Sequence, residues 1–175
     1  NVRPHAVTEV ENADGKIPGE ALTTSFNDFG KIELIDDAGK NLRMDIAYGP
    51  DRQRWHSELS KNGTDIRTTV YAGEYEKFTE NGKTREFYYL NGNTIAVREN
   101  GTVKTYLAFT DNLGSILSTM DENGEKVFDA SYDAWGRQTV TLNTIGLHRG
   151  YTGHEMLNEF GIINMNGRLY DPVLG

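Results

Sequence analysis

Histidines are the first side chains of this sequence whose type could support chemistry. There are four, His5, His56, His148 and His154, and only the last two lie near each other and near a further ligand type, Glu155. They lack the i, i+4 spacing with which two histidines on a helix hold zinc. We predict no metal site and no cofactor, and we interpret the histidines as surface or turn residues.

Adjacent acidic residues could form the carboxylate pair of a glycosidase. Asp36 with Asp37, and Asp121 with Glu122, each flank an Ala-Gly or Asn-Gly turn, where acidic side chains commonly accept bonds from backbone amides. A calcium loop needs acidic residues at alternate positions, which this sequence does not have around Asn123. Nucleophile triads, P-loops and dinucleotide fingerprints are also missing from the sequence. We therefore predict no catalytic residue and interpret both pairs as solvated hairpin tips.

Aromatic residues offer a third kind of site, a stacking platform for sugars or peptides. The candidates are Phe87, Tyr88, Tyr89, Tyr106, Phe109, Tyr132 and Trp135. Cross-strand aromatic pairs in a sheet core are the commoner use of such residues. Binding residues stay unassigned at this stage.

The composition disfavours several classes of binding partner. The 175 residues carry a net charge of -8, with basic residues scattered among acidic ones, which disfavours nucleic acid and anionic membranes. No apolar run approaches the roughly 18 residues that a membrane span needs, and the first residues lack a signal-peptide core. Without cysteine there is neither a disulfide framework nor a thiolate metal site. The abrupt ends of the sequence lead us to expect a section of a longer chain.

Any functional site would be positioned by β-hairpins, which the turn residues of the sequence predict. Asn-Gly pairs, the strongest short-range signal for type I′ hairpins, begin at Asn62, Asn81, Asn91, Asn100, Asn123 and Asn166. Between turns, apolar and polar residues alternate, as in residues 42–48. We predict an all-β fold, an antiparallel hairpin meander of repeats forming a curved β-strip or sheet. Helix should be scarce, with one or two turns at most in residues 154–159.

Five short elements follow one another in a fixed order. Residues 132–137 read Tyr-Asp-x-x-Gly-Arg, and residues 151–155 contain Thr-Gly-x-Glu. Residues 48–54, 111–115 and 161–175 read Tyr-Gly-x-Asp-x-x-Arg, Asp-x-Leu-Gly-Ser and a terminal Arg-x-Tyr-Asp-Pro-x-x-Gly block. In this order they resemble the RHS (YD-repeat) family and its C-terminal repeat-associated core region.

The resemblance covers about residues 26–175, because residues 26–31 are a degenerate repeat start. It implies a single repeat region there, a fragment of a longer chain, preceded by a leading segment at residues 1–25 that enters the repeats. The motif residues are then structural: Tyr132, Asp133, Gly136, Arg137, Gly153, Glu155, Arg168, Tyr170, Asp171, Pro172 and Gly175. Tyr would supply an apolar face, Asp a turn cap, Gly a positive φ and Arg a carboxylate partner.

The resemblance also implies a function. The chain would be a non-catalytic section of a β-shell that encloses or displays a C-terminal, toxin-like domain of the parent polypeptide, secreted by or on the surface of a bacterium. The alternative is a cell-surface carbohydrate or protein binding module. Some family members cut themselves just beyond the terminal block with aspartates, but these would lie beyond Gly175, so Asp171 is interpreted as a turn residue. Neither nucleic acid nor membrane insertion is expected.

Overall fold

The protein is all-β in the computed structural model, which describes residues 22–166 and 168–174. This part of the chain forms fifteen strands and one 3-10 turn, Tyr151–Gly153. The prediction of an all-β antiparallel hairpin meander with little helix is confirmed. The chain divides into two compact units, Asn1–Val70 and Tyr71–Gly175, and each is described by itself. The predicted division at residue 25 stays a prediction, since most of the leading segment lies outside the described residues.

The first unit is a meander in which each strand pairs antiparallel with the next. Its strands are β1 (Leu22–Phe26), β2 (Ile32–Asp37), β3 (Leu42–Tyr48), β4 (Arg54–Lys61) and β5 (Thr64–Ala72), the last of which ends in the second unit. Ile35, Met44 and Leu59 lie opposite one another on successive strands and are fully buried. The alternation predicted for β3 places one face in this core, as period-two patterning requires.

The second unit contains a longer meander and a small sheet. The meander strands are β6 (Tyr75–Glu80), β7 (Lys83–Leu90), β8 (Thr94–Glu99), β9 (Thr102–Thr110), β10 (Ile116–Met120), β11 (Lys126–Tyr132) and β12 (Gln138–Asn143). Each pairs antiparallel with its successor. The small sheet consists of β13 (Glu155–Leu157), β14 (Ile162–Asn164) and β15 (Leu169–Tyr170).

One face of the longer meander forms the core of the second unit. Phe87 and Phe128 are its largest fully buried side chains, and Ile145 and Leu147, from the segment after β12, join the same cluster. The segment that follows β12 therefore covers this face. The sheet buries its apolar side without a second full sheet, which the sequence alone left open.

The Asn-Gly pairs make tight turns because both residues tolerate positive φ, as the sequence predicts. Asn62, Asn81, Asn91 and Asn100 have φ of 51° to 52°, and the glycine after each is also positive. Such angles suit Asn and Gly and match the twist of hairpin strands. Asn123 is the exception, because its turn starts at Asp121 and places only Gly124 at positive φ. Gly167, which follows Asn166, lies outside the described residues.

The expected position of the helical turns is wrong. Residues 155–157 form β13, which pairs with β14 through Met156 and Ile163. All three residues of β13 are buried, so burial on both sides outweighs the weak local helical preference. The helical turn that does occur, Tyr151–Gly153, lies just before this strand.

Candidate functional site

Four turns of the chain share one hydrogen-bond pattern, and the YD signature is one of them. They are residues 27–31, 111–115, 121–125 and 133–137. In each, Oδ1 of the first residue, Asp or Asn, accepts the N–H groups two and four positions later at 2.8–3.0 Å. Glycine at the fourth position has φ between 76° and 87°. The motif is a side-chain-capped turn closed by a glycine.

The Asp of the signature is held in its charged form by this turn. The N–H groups of Arg137 and Trp135 donate to Asp133 Oδ1, both at 2.9 Å. The backbone bond from Arg137 is the main reason why the pKa of Asp133 lies below its usual value. The Arg137 side chain is exposed, and its backbone N–H and C=O close the turn. Asp133 is therefore a cap in the structure.

The Tyr of the signature anchors the hairpin to the neighbouring strand. The Tyr132 hydroxyl donates to the Ile116 carbonyl at 2.9 Å and accepts a bond from Gln138 Nε2 at 3.0 Å. Burial raises the pKa of Tyr132 to about 12, so the phenol stays protonated as a donor. Tyr48, which begins another of the sequence elements, donates in the same way to Ile32 at 2.8 Å, again 16 residues earlier. The anchor is thus a repeated feature.

The Gly of the signature leaves room for a later part of the chain. A Cβ atom on Gly136 would lie 2.7 Å from the Tyr151 ring, closer than real contacts allow. The Tyr151 ring also packs at 5.8 Å, between centroids, from the ring of Tyr132. Gly136 therefore meets two requirements, a positive φ and close packing, while Gly124 in the equivalent turn has nothing within 4 Å.

The Thr-Gly box and the terminal block both contact these turns. The Thr152 N–H donates to the buried Ser115 Oγ at 3.1 Å, and Thr152 has a left-handed φ of 48°. From the terminal block, the Tyr170 hydroxyl donates to the Trp135 carbonyl at 2.8 Å. Gly153 has a φ of 72°. The structure thus brings four of the five sequence elements together around the hairpin tips of the second unit.

The rest of the terminal block is a turn. Asp171 Oδ1 accepts the N–H groups of Val173 at 2.7 Å and Leu174 at 3.3 Å, as an Asp-Pro turn start does. Pro172 is buried and Arg168 is exposed. Gly175 lies outside the described residues. The interpretation of Asp171 as a turn residue agrees with this geometry.

Glu155 belongs to a buried polar cluster in the second unit. Its Oε1 accepts a bond from the Tyr71 hydroxyl at 2.8 Å. Nearby, Glu76 Oε1 pairs with Arg149 Nε at 2.9 Å, and Glu76 Oε2 accepts the Tyr89 hydroxyl at 2.9 Å. The Arg149 guanidinium also stacks on the Tyr89 ring, 3.9 Å from its centroid. These contacts join β6 and β7 to the segment before β13.

The electrostatics of the cluster follow from burial. Glu76 is 2% exposed and Glu155 is 4% exposed. Burial raises the pKa of Glu76 above its ordinary value, although Arg149 opposes this, and the nearby Glu155 adds to it. Burial and the Glu76 charge raise the pKa of Tyr89. Two enclosed carboxylates joined to an arginine and two tyrosines suit a fixed internal connection better than chemistry on an external substrate.

Sequence reasoning found Glu155 through its motif but missed Glu76, Tyr89 and Arg149. One signal was present in β6, where Glu76 stands two residues before the buried Phe78. An acidic residue in the apolar phase of an alternating strand indicates a buried partner of opposite charge. The partner lies 73 residues away, and nothing in the sequence specifies it.

The other candidates for chemistry are separated in the structure. His148 Nε2 lies 3.9 Å from a Glu80 carboxylate, whereas His154 Nδ1 lies 2.7 Å from Thr152 Oγ1. Within residues 22–166 and 168–174, no three His, Asp or Glu side chains are arranged to hold a metal ion. His5 lies outside this range.

The acidic pairs also separate. Asp37 is buried and binds Lys40 of its own turn at 3.0 Å, while Asp36 is on the other face of β2. Asp121 caps its turn through the N–H groups of Asn123 and Glu125, and Glu122 is exposed. Neither pair directs two carboxylates at one point. The interpretation as solvated hairpin tips agrees with the geometry of Asp121 and Glu122, but it is wrong for Asp37, which is fully buried at the end of β2.

The aromatic residues do not form one platform. Phe87 and Tyr106 are buried in the core, and Tyr89 points to the Glu76 cluster. Phe109 and Trp135 are exposed by 42% and 62%, the first on a strand and the second at a hairpin tip. The Tyr88 ring packs on that of Tyr75, 5.1 Å away.

The described part of the chain contains no helix with the length and apolar character to cross a membrane.

Comparison with known proteins identifies the family. The family model described as Teneurin YD-shell matches residues 25–175. The chain belongs to this family. The predicted resemblance to RHS (YD-repeat) proteins is thereby confirmed, and the YD-shell family is one of structural shells. No curated protein sequence matches the chain.

Solved structures of low sequence identity share the fold. A crystal structure of TcdB2-TccC3 matches with a TM-score of 0.71 and 15% identity over 88% of this chain and 9% of that chain. The Photorhabdus luminescens Tc holotoxin pore matches with a TM-score of 0.70 and 15% identity, over 88% of this chain and 8% of that one. A TcdB2-TccC3 structure without the hypervariable C-terminal region matches with a TM-score of 0.69 and 15% identity, over 86% of this chain and 8% of that one. This YD-shell chain therefore spans about a tenth of the structures it matches.

Proposed function

We propose that this YD-shell chain is a non-catalytic wall section of an RHS-type β-shell that encloses or displays a C-terminal, toxin-like domain of its parent polypeptide. The observation that carries the proposal is the family match over residues 25–175. The meander supports it, because a strip of antiparallel hairpins can be extended strand by strand without new topology. The wall would act by excluding water and proteases from what lies behind it.

The contacts at the hairpin tips suit a wall. The Tyr132 hydroxyl binds the Ile116 carbonyl of the neighbouring strand. Gly136 packs against Tyr151, and the Trp135 carbonyl accepts a bond from Tyr170, both from later parts of the chain. The first two contacts anchor and pack the turn, and each uses a motif residue. Asp133 and Asp171 are occupied by backbone N–H groups. We infer that the motif residues are structural and that any self-cleavage of the parent uses aspartates beyond Gly175.

The partners follow from the same proposal. The rest of the parent polypeptide would be the main partner, including the enclosed domain. The family and the toxin complexes among the structural matches favour an extracellular protein, secreted by or displayed on a bacterium. The net charge of -8 disfavours nucleic acid as a partner.

Protection of the enclosed domain tests the proposal. The parent polypeptide is compared with a form that lacks residues 71–174, and the rate at which a protease cuts the domain after the shell is measured. We expect cutting to become at least about ten-fold faster, because a site protected by a closed wall becomes openly accessible. The same domain expressed alone provides the unprotected rate. Equal rates with and without residues 71–174 would contradict a wall function.

A glycan array tests the alternative of a carbohydrate-binding module. The half-buried Tyr75 and Tyr88 rings, beside Glu86 and Arg98, offer an aromatic surface with polar neighbours. Specific binding of the chain to one class of glycan, lost in Tyr88→Ala and retained in Phe109→Ala, would support that alternative. Absence of binding to every glycan would contradict the carbohydrate-binding form of the alternative.

A further inference from the structure

A cavity of about 270 Å³ lies in the second unit, on the face of the meander that the segment after β12 covers. Strands β7, β8 and β9 form one side of it, and Val127, Thr144 and Ile145 line it from β11 and from the covering segment. Further along the same face, Phe87 and Phe128 are fully buried. A core packed to normal density leaves few spaces larger than a water molecule, so this cavity is a separate feature of the covered face.

The Tyr106 hydroxyl lines this cavity without a hydrogen-bond partner. Tyr106 is 7% exposed, and its ring packs in the core of the second unit. In the part of the chain that the structure describes, its hydroxyl forms no hydrogen bond. Burial, and after it the charges of Asp121 and Glu99, raise the pKa of Tyr106, so the phenol stays protonated and can donate. An enclosed hydroxyl without a partner is unfavourable, which indicates that a molecule in the cavity takes up this bond.

Charges of both signs line the cavity. Arg85 and Glu99 lie directly opposite each other on β7 and β8, with Arg85 Nε 3.2 Å from Glu99 Oε1. Lys104 of β9 and Asp121, which follows β10, line the cavity as well. The lining therefore combines two cations with two carboxylates and has no net charge. Such a lining favours a molecule that carries charges of both signs over an ion of one sign.

The charged groups are not saturated by one another. Arg85 Nε is buried and makes no hydrogen bond, although Glu99 is close, so the Glu99 carboxylate can accept a bond from another donor. Asp121 Oδ1 accepts the two backbone N–H groups of its turn, which leaves Oδ2 for a ligand. The backbone bond from Glu125 is the main reason why the pKa of Asp121 is lowered, and the charge of Lys104 contributes to it. Asp121 is therefore charged at neutral pH.

The volume and the rest of the lining limit the size and the apolar part of the ligand. Val97, Val127 and Ile145 give the cavity an aliphatic wall beside its charged groups. Its volume is slightly below the range of pockets that hold drug-sized ligands, so the ligand is smaller than these. We infer that this cavity binds a free α-amino acid with an aliphatic side chain.

Each part of such a ligand has a counterpart in the cavity. The ammonium group suits the Glu99 and Asp121 carboxylates, and the carboxylate suits the Lys104 ammonium and the Tyr106 hydroxyl. A metal ion is a poorer occupant, since the described residues offer no group of three His, Asp or Glu side chains that could hold one. The inference does not depend on the proposed wall function, because the cavity lies within the second unit.

Three related compounds test which charges the cavity recognises. L-leucine, N-acetyl-L-leucine and L-leucinamide are titrated separately into the chain, and NMR shifts of the protein give the dissociation constants. We expect L-leucine to bind saturably and each of the other two to bind at least about ten-fold more weakly, because each lacks one charge-assisted contact. No saturable binding of L-leucine up to about 20 mM would overturn the inference.

Two variants and a control test the position of the site. Lys104→Gln removes the cation, and Tyr106→Phe removes the hydroxyl while keeping the ring. We expect L-leucine to bind at least about ten-fold more weakly to the first and at least about three-fold more weakly to the second. Lys77→Gln is the matched control, because Lys77 lies on the other face of β6 from the core residue Phe78 and should leave binding unchanged.

The lysine variant decides the outcome if Tyr106→Phe disturbs the core. Lys104 is exposed, so Lys104→Gln should keep the thermal midpoint of the chain within about 2 °C. Unchanged binding of L-leucine to Lys104→Gln, or an equal loss of binding in Lys77→Gln, would overturn the inference.

Three further outcomes would assign the cavity to another ligand and so overturn the inference. N-acetyl-L-leucine binding as tightly as L-leucine would indicate an anion site, and L-leucinamide doing so would indicate a cation site. D-glucose binding more tightly than L-leucine would indicate a polyol site. Failure of the wall function is recognised separately, since deletion of residues 71–174 would then leave protection of the enclosed domain unchanged.

Discussion

Gly136→Ala tests whether packing of the later chain on the signature turn contributes to stability. Gly136 has a φ of 87°, and an added Cβ would lie 2.7 Å from two atoms of the Tyr151 ring. The substitution thus introduces backbone strain and a steric overlap together. A variant with the strain alone is needed to separate them, and the repeat supplies one. Gly124 has a φ of 80° in an equivalent turn, with nothing within 4 Å.

The expected changes in the free energy of unfolding follow from the backbone strain and the steric overlap. A left-handed non-glycine residue costs about 1–2 kcal/mol, and both variants incur this cost. Overpacking against the Tyr151 ring adds about 1–3 kcal/mol, because Tyr151 is itself held between Tyr132 and Gly136. We expect Gly136→Ala to lower the free energy of unfolding by about 2–5 kcal/mol and Gly124→Ala by about 1–2 kcal/mol.

Urea unfolding of both variants, followed by far-UV circular dichroism, measures the difference. Tyr151→Ala should remove most of the extra cost of Gly136→Ala, since the overlapping ring is absent, and a double-mutant cycle expresses this as a coupling energy. If the two glycine variants agree within about 0.5 kcal/mol, or if the coupling with Tyr151 is near zero, the ring does not press on the turn and the reasoning is refuted.

Three further predictions concern the anchor and the buried cluster. Tyr132→Phe should lower the free energy of unfolding by about 1 kcal/mol, because the Ile116 carbonyl loses its donor. Tyr48→Phe, which removes the equivalent bond to Ile32, should lower it by a similar amount. An unchanged free energy of unfolding in urea for either variant would contradict the anchor. Arg149→Ala should lower the free energy of unfolding by about 3 kcal/mol or more, because it leaves the Glu76 carboxylate buried without its cation. The double variant Glu76→Gln with Arg149→Met should lose less stability, and equal losses in the two variants would exclude charge burial as the cause. Burial raises the folded-state pKa of Glu76 above 4.5, so the folded chain binds this proton at a higher pH than the unfolded chain does. The stability contribution of Glu76 should therefore increase as the pH falls from that raised pKa towards about 4.5. The unfolding free energy of Glu76→Gln, measured over the same pH range, should lack this increase.

The hairpins were predictable because their cause is local. Two-residue Asn-Gly loops force consecutive strands to be antiparallel neighbours, so Glu80 pairs with Lys83 and Glu99 with Thr102. The alternation in β3 likewise depends only on the pleat. Asn123 escaped this rule because Asp121, two residues earlier, offers a competing side-chain cap.

Local preference misled where burial decided. Residues 154–159 have helix-forming side chains between glycines, but Met156 and Leu157 are buried in a strand. The sequence left the roles of the aromatic residues open for a related reason, since it cannot tell which face of a strand will be covered. Tyr106 entered the core while Phe109, three residues later, stayed exposed.

The sequence by itself determined the all-β meander, the positions of most turns and the family, since turn chemistry and period-two patterning act over a few residues. The site depended on tertiary structure. Glu76 meets Arg149 across 73 residues, and Tyr71 meets Glu155 across 84, contacts that depend on which face the segment after β12 covers. The same holds for Gly136 and Tyr151. Only the folded chain decides such contacts, because burial can place a charge or a ring beside any residue on the covered face.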